Sequence, residues 1–146
     1  MSYSEIVQED PLPFIFNEFE ASVQTYTVGA LAILWTLPET GANSPLLVPG
    51  ETRTFWARYP TAVSPVDARC VDAWTTLVEN TDYEANSASN GSGTDLSGSL
   101  TVVVSKFAES MKIAITNGHA TLRAYMTMLQ ARGTPVTAAD PITVSA

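Results

Sequence analysis

Residues 100–136 read LTVVVSKFAESMKIAITNGHATLRAYMTMLQARGTPV, and the spacing of their apolar side chains decides the fold class. From Leu100 to Phe107 a period of two puts Leu100, Val102 and Val104 on one face and Val103 and Phe107 on the other, which predicts a β-strand. After the polar break Ala108-Glu109-Ser110, Met111, Ile113 and Ile115 alternate with Lys112, Ala114 and Thr116, so a second strand returns as a hairpin. Asn117-Gly118 then supplies a turn whose residues tolerate positive φ. A third strand follows from Leu122 to Ala131, with Met126 and Met128 facing opposite to Tyr125 and Leu129. The block predicts an antiparallel sheet and carries no catalytic signature.

The flanking sequence extends this pattern. Thr52 to Tyr59 alternates, with Arg53, Phe55, Ala57 and Tyr59 on one face and Thr54, Trp56 and Arg58 on the other. Pro49-Gly50 ahead of it is a type II turn signal, with Pro second and Gly third. Ala21 to Leu37 begins with alternation and becomes continuously apolar through Trp35. Helix and strand both fit Gly29 to Trp35, and its length, its Ile and Trp and the Pro38 stop favour a buried strand. Val66 to Val78 is the most ambiguous segment, since Ala73, Trp74, Leu77 and Val78 also fit a helical stripe with Cys70; its Val and Thr content favours a short strand with turns. Thr81 to Asn86 reads as extended around Tyr83. Ser87 to Ser99 is a Ser/Gly-rich loop expected to lie outside the core. Gly133-Thr134-Pro135 is expected to bend the chain, and Ile142-Thr143-Val144 reads as a last strand. Short strands separated by turn signals every eight to twelve residues are the pattern of an all-β antiparallel β-sandwich, jelly-roll-like in character.

The 146 residues fit one domain over 21–146 preceded by an N-terminal arm over 1–20. The arm holds Glu5, Glu9, Asp10, Glu18 and Glu20, no base, and Pro11 and Pro13, which exclude helix locally. Phe14, Ile15, Phe16 and Phe19 are too apolar to stay solvated and must pack on their own domain or on a neighbour. Hydrophobic residues make up 45% of the chain and charged residues only 15%, which places it among folded proteins with a neutral surface suited to assembly.

Seven basic residues against fifteen acidic give a net charge of −8, which disfavours nucleic-acid binding. No apolar run approaches the length needed to insert in a membrane, and the acidic N-terminus does not read as a signal peptide. Cys70 is single and reads as a buried small hydrophobe. His119 is the only histidine and reads as an exposed turn residue rather than a catalytic base. Two Cys/His residues in all argue against zinc. Asp82, Glu84, Asn86, Asn90 and Asp95 offer hard oxygen donors around the Ser/Gly loop, in a spacing that matches no EF-hand and leaves calcium open. Gly91-x-Gly93 lacks the residues of a phosphate loop. No cofactor and no enzymatic activity are expected. Trp35, Trp56 and Trp74 read as core, with a sugar-stacking platform as the alternative should any be exposed.

Thr81-Asp82-Tyr83, Ala85-Asn86-Ser87, Gly91-Ser92-Gly93-Thr94-Asp95-Leu96, Ala114-Ile115-Thr116-Asn117 and Leu129-Gln130-Ala131-Arg132-Gly133-Thr134-Pro135-Val136 together resemble a β-sandwich domain of tailed-phage and prophage-like structural proteins. The resemblance spans roughly Trp56 to Val144. It implies a virion or extracellular filament component that packs against copies of itself or neighbouring proteins, with Arg132-Gly133-x-Pro135 as a structural turn. Assembly would run through the arm (Phe14, Ile15, Phe16, Phe19) or the C-terminal strand (Ile142, Val144) by strand exchange. The competing expectation is a module that binds a glycan on a cell surface.

Overall fold

A computed structural model describes residues 20–39 and 41–145. Its strands are β1 (Glu20–Val23), β2 (Tyr26–Val28), β3 (Ala32–Thr36), β4 (Leu46–Leu47), β5 (Thr52–Arg58), β6 (Ala68–Trp74), β7 (Tyr83–Asn86), β8 (Leu100–Lys106), β9 (Ser110–Asn117), β10 (Ala124–Ala138) and β11 (Ile142–Ser145). The only helical elements among the described residues are two 3-10 turns, Gly41–Asn43 and Ser97–Ser99. Phe14, Ile15, Phe16 and Phe19 lie outside the described residues.

The chain divides into two compact units, one of residues 1–25 with 140–146 and one of residues 26–139. In the first, β1 pairs antiparallel with β11, Ala21 opposite Val144 and Val23 opposite Ile142. The C-terminal strand thus pairs within its own chain.

The second unit is an antiparallel β-sandwich. One sheet is organised on the 15-residue strand β10. Along one edge β10 meets β4 at Ala124 and Tyr125, β3 from Gln130 to Gly133, and β2 from Val136 to Ala138. Along the other it meets β7 and then β6. The other sheet has the order β5-β9-β8 and contains the hairpin expected between Leu100 and Asn117. Met111, Ile113 and Ile115 of β9 and Ala57 of β5 form a core with Leu47, Met126, Leu129 and Ala131, all fully buried. Leu100, Val102 and Val104 pack against that core while Val103 faces out, as their alternation predicts. Buried Trp74 donates its indole N–H to the Phe107 carbonyl at 2.7 Å, so its polar edge is satisfied.

β10 corrects two expectations. Strict alternation would put Met126 and Met128 together, opposite Leu129. Instead Met126 pairs with Ala85 and Met128 with Glu84, leaving Thr127 as an extra residue in a β-bulge. The bulge inverts the phase, so Met126 and Leu129 share the core face and Met128 is only partly buried. The Gly133-Thr134-Pro135 segment does not end the strand either. Pro135 falls in the gap between the β3 ladder, which stops at Gly133, and the β2 ladder, which starts at Val136. Its missing N–H therefore costs no ladder bond, while its carbonyl accepts from Gly29 N at 2.8 Å. Gly133 serves close approach: a Cβ there would lie 2.8 Å from the Ala73 carbonyl oxygen.

The turns show the same division. Gly50 has φ +77° and Glu51 N donates to the Val48 carbonyl at 3.0 Å, as the type II signal requires. Asn117 behaves differently from the expected positive-φ turn residue, because it is buried at the end of β9. Its amide donates to the carbonyls of Leu47 (3.0 Å) and Leu122 (2.9 Å), and its Oδ1 accepts from His119 N at 3.0 Å.

Candidate functional site

The continuously apolar run after Gly29 is not a buried strand. Within β3 Leu34 is buried and Trp35 packs partly buried against the core, and Leu37 is buried just beyond, while Ile33 is 55% exposed. Tyr26, Val28 and Leu31 are also exposed, and the loop between β5 and β6 presents Val63 and Val66 at 94% and 99% exposure. Ile33, Leu34, Val63, Pro65 and Pro135 line a groove of ≈ 320 Å³ together with Tyr59. Burial, and then the charge of Asp67, raise the Tyr59 hydroxyl above its ordinary pKa of 10.0. Neither Ala21 to Pro38 nor Tyr59 to Val66 contains a charged residue. An uncharged apolar surface on a chain of net charge −8 loses little polar hydration when a neighbour covers it.

A second surface lies on the outer face of the β5-β9-β8 sheet. Trp74 is buried and Trp35 partly buried against the core, but Trp56 is 46% exposed, which corrects its core assignment. Trp56 stacks with Phe107, itself 52% exposed, at a centroid separation of 6.2 Å and an interplanar angle of 26°. Lys112 sits directly across from Trp56 in the ladder, Arg58 follows two residues on, and Glu109 and Ser110 border the adjoining cleft of ≈ 440 Å³.

The Ser/Gly loop is exposed from Asn90 to Asp95, as expected, but hydrogen bonds and two buried residues tie it to the core. Asn86 Oδ1 accepts from Ala88 N (3.0 Å) and Gly93 N (2.8 Å), and Ser87 Oγ accepts from Thr94 N (2.8 Å). Leu96 is buried, and the hydroxyl of buried Ser97 accepts from Ala85 N and donates to Asp95 Oδ1 at 2.7 Å. These bonds employ oxygens that the sequence offered to calcium. Asn90 Oδ1 accepts from Ser92, and Asp82 is committed elsewhere. No group of three or more His, Cys, Asp or Glu suited to a metal ion occurs among the described residues. Glu84, Asn86, Asp95, Ser97 and Thr127 do border a polar cleft of ≈ 290 Å³. Bonds from the Ser97 hydroxyl and N–H hold the Asp95 carboxyl below its ordinary pKa, the direction opposite to that of a general acid.

His119 Nδ1 accepts from Leu122 N (2.9 Å) and Thr121 N (3.2 Å), so this partly exposed imidazole shapes the loop after β9. Cys70 lies in β6 opposite Val136 and is partly exposed rather than fully buried.

The strongest polar feature is one that sequence reasoning missed. Fully buried Asp82 receives Arg132 Nε on Oδ1 at 2.6 Å and Arg132 Nη2 on Oδ2 at 2.8 Å, and Val78 N adds a bond of 2.9 Å. Nothing in the spacing links the two residues; only the pairing of β7 with β10 brings them together. Arg132 therefore acts as an internal clamp, not as part of a turn.

No helix among the described residues is long and apolar enough to cross a membrane. Comparison with protein families, with characterised proteins and with solved structures finds no match.

Proposed function

We propose that this chain is a structural subunit that packs against copies of itself or neighbouring proteins in a phage tail, virion or extracellular filament. The observation that carries the reading is the uncharged apolar surface formed by Tyr26, Val28, Ile33, Val63 and Val66. A single exposed Leu or Val is ordinary on a folded protein, but Ile33 and Val63 meet in one groove with Pro65 and Pro135, and such clustering marks an interaction surface. The buried Asp82–Arg132 clamp and the hydrogen-bonded Ser/Gly loop add support. They hold the sheet that carries the groove in one shape, as repeated packing of identical subunits requires. The placement in a tail, virion or filament rests on the sequence resemblance.

Light scattering on the intact chain beside an Ile33→Lys/Val63→Lys variant tests this. Two charges in the groove should weaken association at least about tenfold while leaving the circular dichroism spectrum unchanged. Equal assembly of the variant and the parent would sink the reading.

The alternative, a glycan- or cell-surface-binding module, draws on the exposed Trp56–Phe107 stack with Arg58, Lys112 and Glu109 around it. An aromatic face with polar neighbours suits a sugar ring. Retention on a glycan array that Trp56→Ala abolishes would favour that role.

A further inference from the structure

The outer face of the β5-β9-β8 sheet has a chemistry that the rest of the surface lacks. Of the seven basic residues in the chain, Arg58 and Lys112 fall on this outer face beside Trp56, whereas Arg53 and Lys106 alternate to the opposite side of the same sheet. Arg132 is spent on Asp82, Arg69 hydrogen-bonds the carbonyls of Val66 and Ala68, and Arg53 lies 3.9 Å from Glu51. Among the described residues, Arg58, Lys106 and Lys112 form no ion pair. Arg58 and Lys112 flank the exposed Trp56–Phe107 stack, and Glu109 is the acid at its border. The remainder of the outer face is Thr52, Thr54, Thr101, Val103 and Ser105, small side chains that leave the aromatic pair standing proud.

The segment ahead of β1 is the complement of this face. It brings Glu5, Glu9, Asp10 and Glu18 with no base, and intersperses Phe14, Ile15, Phe16 and Phe19. Residues 5–19 in extended form reach about 50 Å, enough to cross to another molecule.

We propose that the N-terminal arm of a second copy docks on the outer face of the β5-β9-β8 sheet, with its Phe14–Phe19 segment on Trp56 and Phe107 and its carboxylates at Arg58 and Lys112. This rests on the assembly reading above and names the segment and surface that join successive subunits. The aromatic contact supplies affinity and the charges fix the direction of the arm. Where the arm is not returned by the same neighbour, the contact is heterologous and propagates into a ring or an open filament; reciprocal exchange closes a dimer. The apolar groove around Ile33 and Val63 is a separate surface, so each can be disabled alone.

Two full-length variants test it by complementation. An arm variant, Phe14→Ser/Phe16→Ser/Phe19→Ser, can accept an arm but not donate one. A face variant, Trp56→Ala/Arg58→Glu/Lys112→Glu, can donate but not accept. Each alone should associate at least about tenfold more weakly than the parent, with an unchanged circular dichroism spectrum. Mixed one to one, they should regain the association that each lacks alone, through heterodimers in which the arm of the face variant meets the intact face of the arm variant. Arg58→Glu/Lys112→Glu, which alters only exposed charges, repeats the test should the Trp56 substitution impair folding.

Parent-like assembly of either variant would overturn the docking while leaving the apolar-face reading intact. So would a well-folded mixture in which no heterodimer forms. A parent chain that is monomeric at every concentration would overturn both, and a glycan ligand lost with Trp56→Ala would then reassign the face.

Discussion

Asp82 on the approach to β7 and Arg132 in the middle of β10 form a bidentate ion pair, with Nε–Oδ1 at 2.6 Å and Nη2–Oδ2 at 2.8 Å. The carboxylate has no solvent exposure, whereas the guanidinium side chain keeps 25% of its own. That asymmetry predicts unequal costs. Asp82→Ala should destabilise the fold by about 3 kcal/mol, since Arg132 is left able to turn towards water. Arg132→Met should cost more, because it strands a buried carboxylate. Urea denaturation of both variants checks the order; a milder Arg132→Met would contradict it.

Acid should weaken the fold partly through the same residue. Burial pushes the Asp82 carboxyl up, but the Arg132 and Val78 hydrogen bonds and the Arg132 charge outweigh it and hold the group below 3.8. A carboxylate with a depressed folded pKa contributes stability that is complete above its unfolded value, declines as pH falls below that value, and is gone once the folded pKa is passed. The denaturation midpoint of the parent should therefore fall steeply below about pH 4. Asp82→Asn should flatten that limb. Asp95, also depressed through its bonds to Ser97, leaves a residual slope.

At Gly133 and Gly93 glycine is required by space rather than by φ. A Cβ on Gly133 would meet the Ala73 carbonyl oxygen at 2.8 Å and Val71 Cγ1 at 2.9 Å, and the backbone oxygen cannot yield. Gly133→Ala should cost about 1–3 kcal/mol, read from thermal or urea unfolding. On Gly93 the added carbon would collide with Ser87 Oγ and lie 2.8 Å from Asn86 Oδ1. Gly93→Ala should speed amide hydrogen exchange from Ser87 to Asp95 and leave β9 protected.

Asn117 ties β9 to the strand before β5 and to the loop after it. Asn117→Ala removes donors to the Leu47 and Leu122 carbonyls and the acceptor for His119 N, so a loss of about 1–3 kcal/mol is expected. Asn117→Asp should be at least as damaging, since it replaces an amide donor facing two carbonyls with negative charge. Denaturation at pH 7 distinguishes these outcomes from a neutral substitution.

Strands with a clean period of two were legible in the sequence. Leu100 to Lys106, Ser110 to Asn117 and Thr52 to Arg58 form where alternation puts them, and Pro49-Gly50 makes its turn because both residues are restricted locally. What was not legible depends on neighbours. The bulge at Thr127 is set by the pairing of β10 with β7, and no composition signal marks it. Gly133-Thr134-Pro135 read as a bend, and the ladder's continuation through it was hidden because Pro135 is tolerated only in the gap between β2 and β3. Leu96 looked like part of a polar loop because its burial depends on bonds made by Asn86, Ser87 and Ser97. The apolar run around Ile33 signals a strand equally well whether its outer face is covered by the same chain or by another. Trp56 was weighed both ways, and its 46% exposure follows from its place on the outer face of the β5-β9-β8 sheet.

The most direct measurement is electron microscopy with light scattering on the intact chain over a range of concentrations. Rings or filaments should grow with concentration and give way to smaller species when Ile33 and Val63 are replaced by Lys. A folded, monodisperse monomer at every concentration would contradict it.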